Sequence, residues 1–155
     1  MFKFELQHVL DYRVNIEEKC QVAYSEQMRC VENERRNLET LRAKKTELMD
    51  QFQQHQKSEK INAGDISMYI AYIRRMIVRE EEQLAVVAKE EALLVEKRGL
   101  LLEAVRNRKA MENLKEKKHQ EHKAQELEKE RKKLDEFGIV RFQDKVDHEE
   151  SDHSL

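Results

Sequence analysis

Not one proline interrupts the 155 residues of this chain. At ordinary usage of about 5%, roughly eight would be expected. Proline removes a helical hydrogen bond and clashes with the preceding turn, so its absence leaves long helices free to run. Glycine is almost as scarce, with Gly64, Gly99 and Gly138 the only three. Three scattered glycines cannot build a phosphate-cradling loop or supply the turns of a β-sandwich. Charged residues make up 40% of the chain and apolar residues 39%, the latter below the ordinary globular share. Such a chain is all-α, with an apolar stripe wide enough for a seam but not for a deep core.

One cluster of turn formers, Ser58 to Asp65, divides the first 130 residues. It predicts a first helix over about 6–57, a turn over 58–65 and a second helix over about 66–137. Gly64 is expected in the left-handed region after the first helix, and Asp65 as the cap of the second. Gly138 supplies a second stop signal. Residues 1–137 then form one hairpin domain, and 138–155 a tail without fixed structure. That tail carries Ile139, Val140 and Phe142, then an excess of acid, 5 against 2 basic residues.

Both helices carry the 3-4 spacing of a coiled coil. The first-helix seam runs through 10, 13, 17, 20, 24, 27, 31, 34, 38, 41, 45, 48, 52 and 55. The second runs through 66, 70, 73, 77, 80, 84, 87, 91, 94, 98, 101, 105 and 108. Folding the chain back at Asn62–Ala63 brings apolar layers together, among them Val31 with Leu94, Leu38 with Val87 and Leu41 with Leu84. Polar interruptions meet as well: Arg13 with Glu112, Glu17 with Arg108, Lys45 with Glu80 and Gln27 with Arg98. Only Glu34 with Glu91 opposes like charges. This matching predicts a monomeric antiparallel coiled-coil hairpin, because paired polar layers fix register at some cost in stability. The second helix is the longer, and 123–137 have no residue to face.

No catalytic constellation is present, and no cofactor is implied. His119-x-x-His122 has donor types suited to zinc, but such pairs in a charged helix are usually solvated side chains, so no metal site is assigned. Cys20 and Cys30 lie about 15 Å apart along one helix, too far for a disulfide, and read as free thiols. The net charge is −2, and the basic runs are interleaved with glutamates without an aromatic stacking set. Nucleic acid is therefore not an expected partner. No apolar run approaches 18 residues and the N-terminus has no secretory apolar core, which points to the cytoplasm.

Three stretches carry a resemblance. Phe4-Glu-Leu-Gln-His-Val-Leu-Asp-Tyr-Arg13, Arg108-Lys-Ala-Met-Glu-Asn-Leu-Lys-Glu-Lys117 and Glu130-Arg-Lys-Lys-Leu-Asp-Glu-Phe137 together resemble the flagellar type III export protein family FliJ. The likeness spans about 4–142. It implies a long antiparallel coiled coil similar to the central stalk of rotary ATPases. It also implies a non-enzymatic export component whose termini-bearing end engages the hexameric flagellar export ATPase. The hairpin-side half would engage the membrane export gate, and members can also bind export chaperones. Tyr72 and Met76 match gate-contacting positions of that family. Such a protein works in the cytoplasm, peripherally attached to the inner membrane at the flagellar base.

The residues themselves suggest the ATPase-facing set. Phe4 and Leu6 near one terminus join Leu127, Arg131, Lys132, Lys133, Leu134 and Phe137 on the unpaired stretch. The competing readings are a generic coiled-coil scaffold and a basic-helix nucleic-acid binder.

Overall fold

The computed structural model describes residues 1–58 and 60–152, the side chains of 147–152 excepted. It is an all-α hairpin of two helices packed against each other, α1 (Gln7–Lys57) and α2 (Ala63–Asp152). The chain divides into two compact units, Arg13–Arg106 and the pair of segments Met1–Tyr12 and Asn107–Leu155.

Within 13–106, α1 closes at Ser58, whose Oγ and backbone N–H both donate to the His55 carbonyl. The cap of α2 differs from the sequence expectation. Asn62, not Asp65, caps it, its Oδ1 accepting the Asp65 N–H at 2.8 Å. Gly64 therefore lies inside the first turn of α2 and takes no positive φ. A side chain at Gly64 would crowd that cap, because its Cβ would stand 3.2 Å from Asn62 Oδ1.

The far end of α2 is a second correction. The helix passes through Gly138 and continues to Asp152 in place of the expected unstructured tail, of which 153–155 lie outside the described residues. A glycine inside a helix costs only about 1 kcal/mol relative to alanine. With no proline on either side, that cost alone does not end the helix.

Every predicted seam position of α1 between 13 and 55 is at least partly buried, with Val31 2% and Leu38 7% exposed. On α2, positions 66, 73, 80, 87, 94 and 101 hold as predicted. Of the alternate positions, Glu91 and Val105 are partly buried as predicted and the other four are not. Ile70 (39%), Ile77 (40%) and Leu84 (42%) are exposed, as is Arg98. Tyr69, Met76, Gln83 and Lys97, each one residue earlier, take the seam instead, together with Glu90 and Ala104.

Hydrogen bonds explain the choice. Buried Gln27 donates through Nε2 to the Glu90 carbonyl at 3.0 Å and to the Glu90 carboxylate, and accepts from Lys97 Nζ at 3.2 Å. Gln83 Nε2 donates to the Glu34 carbonyl at 2.9 Å and to the Glu34 carboxylate. The two carboxylates expected to face each other thus each have another partner, Glu91 accepting from Arg35 at 2.6 Å. Gln27 meets Lys97 rather than Arg98. Among the described residues, no buried side-chain nitrogen or oxygen is left without a partner, so the desolvation of these polar layers is compensated.

The Lys45–Glu80 pairing is found as the sequence reading places it, and Arg42 Nε adds a second bond to Glu80 at 2.9 Å. At the closed end, Tyr69 packs against Phe52 with ring centroids 5.2 Å apart, and its hydroxyl lies 3.2 Å from His55 Nδ1.

Two stability outcomes follow from these contacts. Asn62→Ala removes the cap and should cost about 1 kcal/mol, seen as a fall in Tm of about 2–4 °C. The Lys45 hydrogen bond, then that of Arg42, holds the Glu80 carboxyl below its ordinary value of 4.5. A lowered folded pKa contributes stability above the unfolded value, lost as pH falls through the folded one. Thermal melts should therefore show Glu80→Gln less stable than the natural chain at pH 7, with the gap closing below about pH 4.

Candidate partner-binding surfaces

In the unit formed by 1–12 and 107–155, the N-terminal segment lies back along α2. The Phe4 carbonyl accepts the Gln7 N–H, and that of Leu6 accepts those of Val9 and Leu10, which starts α1. Phe4 (8% exposed) and Leu10 are buried. Gln7 Oε1 accepts from Lys115 Nζ at 2.7 Å. The Phe2 ring packs against both His119 and His122, with centroids 4.8 and 5.7 Å away. The histidines three apart share a helix face, as a zinc pair would, yet here they hold an aromatic ring. Among the described residues, no three His, Cys, Asp or Glu side chains converge on a metal position.

A shallow groove of about 320 Å³ opens here, lined by Phe2, Phe4, Leu6, Leu114, His122 and Gln125 among others. Of the two N-terminal residues expected to meet a partner, Leu6 is exposed and Phe4 is not. The Phe4 ring anchors the segment that presents Leu6. The role of Phe2 was missed from sequence, although its two-residue spacing from Phe4 and the i, i+3 histidines were its signals.

Beyond His122, every described side chain of α2 through Val146 is exposed. Leu127, Leu134 and Phe137 are each about two-thirds exposed or more. Ile139, Val140 and Phe142 extend this apolar content further along the same helix. The sequence expectation places them in a separate tail, since glycine at 138 resembles a helix stop.

Among the described residues, two ion pairs are formed within this stretch. Lys132 meets Glu128 at 2.8 Å and Lys129 meets Glu126 at 3.1 Å. The Lys129 hydrogen bond holds the Glu126 carboxyl below its ordinary value. Arg131 and Lys133 make no ion pair among the described residues. Glutamates and Asp135 are interleaved with these cations along the helix, and such mixed charge makes a poor phosphate-binding surface, which argues against the nucleic-acid reading.

Within 13–106, Tyr72 stands exposed on α2 with the Arg75 guanidinium 5.9 Å from its ring centroid. Met68, Ala71 and Arg75 complete a small depression around it. Met76, expected to share that face, is half-buried in the seam. Met68 and Arg75 were not singled out from sequence, although i−4 and i+3 neighbours of Tyr72 are its natural company on a helix.

Both cysteines are free, Cys20 half-buried and Cys30 exposed. Among the described residues, no helix is long and apolar enough to cross a membrane.

The two N-terminal side chains separate cleanly by experiment. Phe4→Ala should destabilise the fold by about 3 kcal/mol. Leu6→Ala should change it by no more than about 0.5 kcal/mol. Thermal unfolding monitored by helical circular dichroism reads both.

The model of the family described as "Flagellar FliJ protein" matches residues 2–147 of the chain. No curated protein and no solved structure matches it.

Proposed function

The chain belongs to the flagellar FliJ family, and so is a non-enzymatic component of the flagellar export apparatus; from that premise we propose that it is a stalk which seats in the export ATPase hexamer and couples it to the membrane export gate. It works in the cytoplasm, at the face of the inner membrane beneath the flagellum. Export chaperones are further partners consistent with this role.

One observation carries the ATPase half of this reading. The stretch of α2 after His122 is a single helix whose apolar side chains are exposed and, among the described residues, uncovered. An isolated helix this polar is marginal in water and gains stability from a partner. Its diameter of about 10–12 Å suits a narrow axial pore that would exclude a globular domain. Leu127, Leu134 and Phe137 each gain about 1.5–3 kcal/mol when fully buried. Arg131 and Lys133, with Lys132 once released from Glu128, would steer association with acidic ring loops. Leu6 extends the same contact from the N-terminal segment.

The gate half rests on Tyr72, whose exposed ring and flanking Met68 and Arg75 form an anchor of the kind found at interface hot spots. Met76 contributes once it leaves the seam.

Leu134→Ala combined with Phe137→Ala should abolish stimulation of the export ATPase, since affinity comes mainly from apolar burial. Lys132→Ala alone should slow association and reduce its salt sensitivity, leaving maximal stimulation intact. Steady-state ATP hydrolysis with increasing amounts of each variant measures both. Full stimulation by a chain truncated after Lys123 would contradict the assignment.

A further inference from the structure

Among the apolar residues that α2 leaves exposed, three fall on one regular stripe. Ile70, Ile77 and Leu84 recur every seven residues and flank the seam that holds Tyr69, Met76 and Gln83. Positions 66, 73, 80, 87, 94 and 101 serve either arrangement. Combined with 69, 76, 83, 90, 97 and 104 they make the observed 3-4 repeat. Combined with 70, 77, 84, 91, 98 and 105 they make a second, equally regular one. One residue turns a helix by about 100°, so the two stripes differ by about 50°.

We propose that α2 has two seatings against α1, related by a rotation of about 50° about its own axis, and that the second seating brings Met76 out of the seam. The two seatings are held by different forces. Hydrogen bonds hold the observed one: Gln83 to Glu34, and Gln27 to Glu90 and Lys97. Apolar burial favours the other, in which Ile70, Ile77 and Leu84 enter the seam. That gain is opposed by bringing Glu91 towards Glu34 and Arg98 towards Gln27. Interfaces of this sort have discrete arrangements rather than a continuum, because interlocked side chains cannot slide past one another by degrees.

The exchange has a directional consequence. Met76 is half-buried in the observed seating and Ile77 exposed; the second seating reverses them, with Tyr72 still exposed beside Met76. A partner that binds Met76 would draw α2 into the second seating, since a ligand shifts an equilibrium towards the state it binds better. That the partner is the export gate rests on the function proposed above; the two seatings do not.

The test uses the full chain with Cys20→Ala and Cys30→Ala, carrying Gln83→Cys or Leu84→Cys as a single probe, and times the reaction of each thiol with a maleimide. In the otherwise natural chain the thiol at 84 should react faster than the thiol at 83. Glu91→Leu with Arg98→Leu makes the second repeat apolar at every alternate position and should reverse that order. Glu90→Leu with Lys97→Leu removes the side-chain partners of Gln27 that hold the observed seating and should narrow the original gap. The Glu91→Leu/Arg98→Leu chain should also bind the gate component more tightly than the Glu90→Leu/Lys97→Leu chain. An unchanged order of reactivity in all three backgrounds would overturn the proposal. So would loss of helicity in the Glu91→Leu/Arg98→Leu chain, because a second seating with that many apolar layers must fold. If the gate bound none of the three, the gate assignment would fail while the thiol order still judged the seatings.

Discussion

Two helices share one seam, and a side chain in that seam is walled on one side only. Even Val31, the most buried of the described residues, keeps 2% of its surface, and most seam residues keep considerably more. Apolar burial alone is then a weak guide to register. What selects one is the set of polar residues that must find partners when they are covered. Gln27 bridging Glu90 and Lys97, Gln83 reaching Glu34, and Lys45 with Arg42 on Glu80 do this for residues 13–106. Removing one member of such a set leaves the others desolvated and unpaired, which costs more than the bond itself.

The same constraint explains which parts of the structure could be read from the sequence. The seam of α1 was legible because its apolar and polar positions both follow one 3-4 repeat. The Lys45–Glu80 layer was legible because opposite charges in matching positions admit one sensible pairing. The alternate seam positions of α2 were not. Sequence pattern favours Ile70, Ile77 and Leu84 over Tyr69, Met76 and Gln83, and nothing in a hydropathy pattern registers that Gln83 can reach a backbone carbonyl across the interface. The ends of α2 failed for a related reason. Gly64 and Gly138 look like punctuation, but a cap is made by a side chain in the right place. Asn62 is in that place. No comparable device acts at Gly138.

The candidate surfaces were legible in outline and not in detail. A helix longer than its partner must leave residues uncovered, so the exposed stretch after His122 follows from segment lengths alone. That Phe4 would be an anchor and Leu6 the exposed residue depends on how the N-terminal segment turns into α1, and two-residue spacing does not fix that turn. His119 and His122 show the limit of donor counting. Their spacing satisfies a metal motif, and their actual neighbour is the Phe2 ring.

Function in such a protein resides in what the seam leaves uncovered. The exposed Leu127, Leu134 and Phe137 have no use in the hairpin's own stability, and the stalk reading gives them one. A photo-crosslinking residue placed at Leu134 in the full chain, irradiated with the assembled export ATPase, tests that reading most directly. On that reading, crosslinks to residues lining the axial pore of the ring are expected, as is their loss when Phe137→Ala is added. Crosslinks confined to a second copy of this chain, or to the outer surface of the ring, would contradict it.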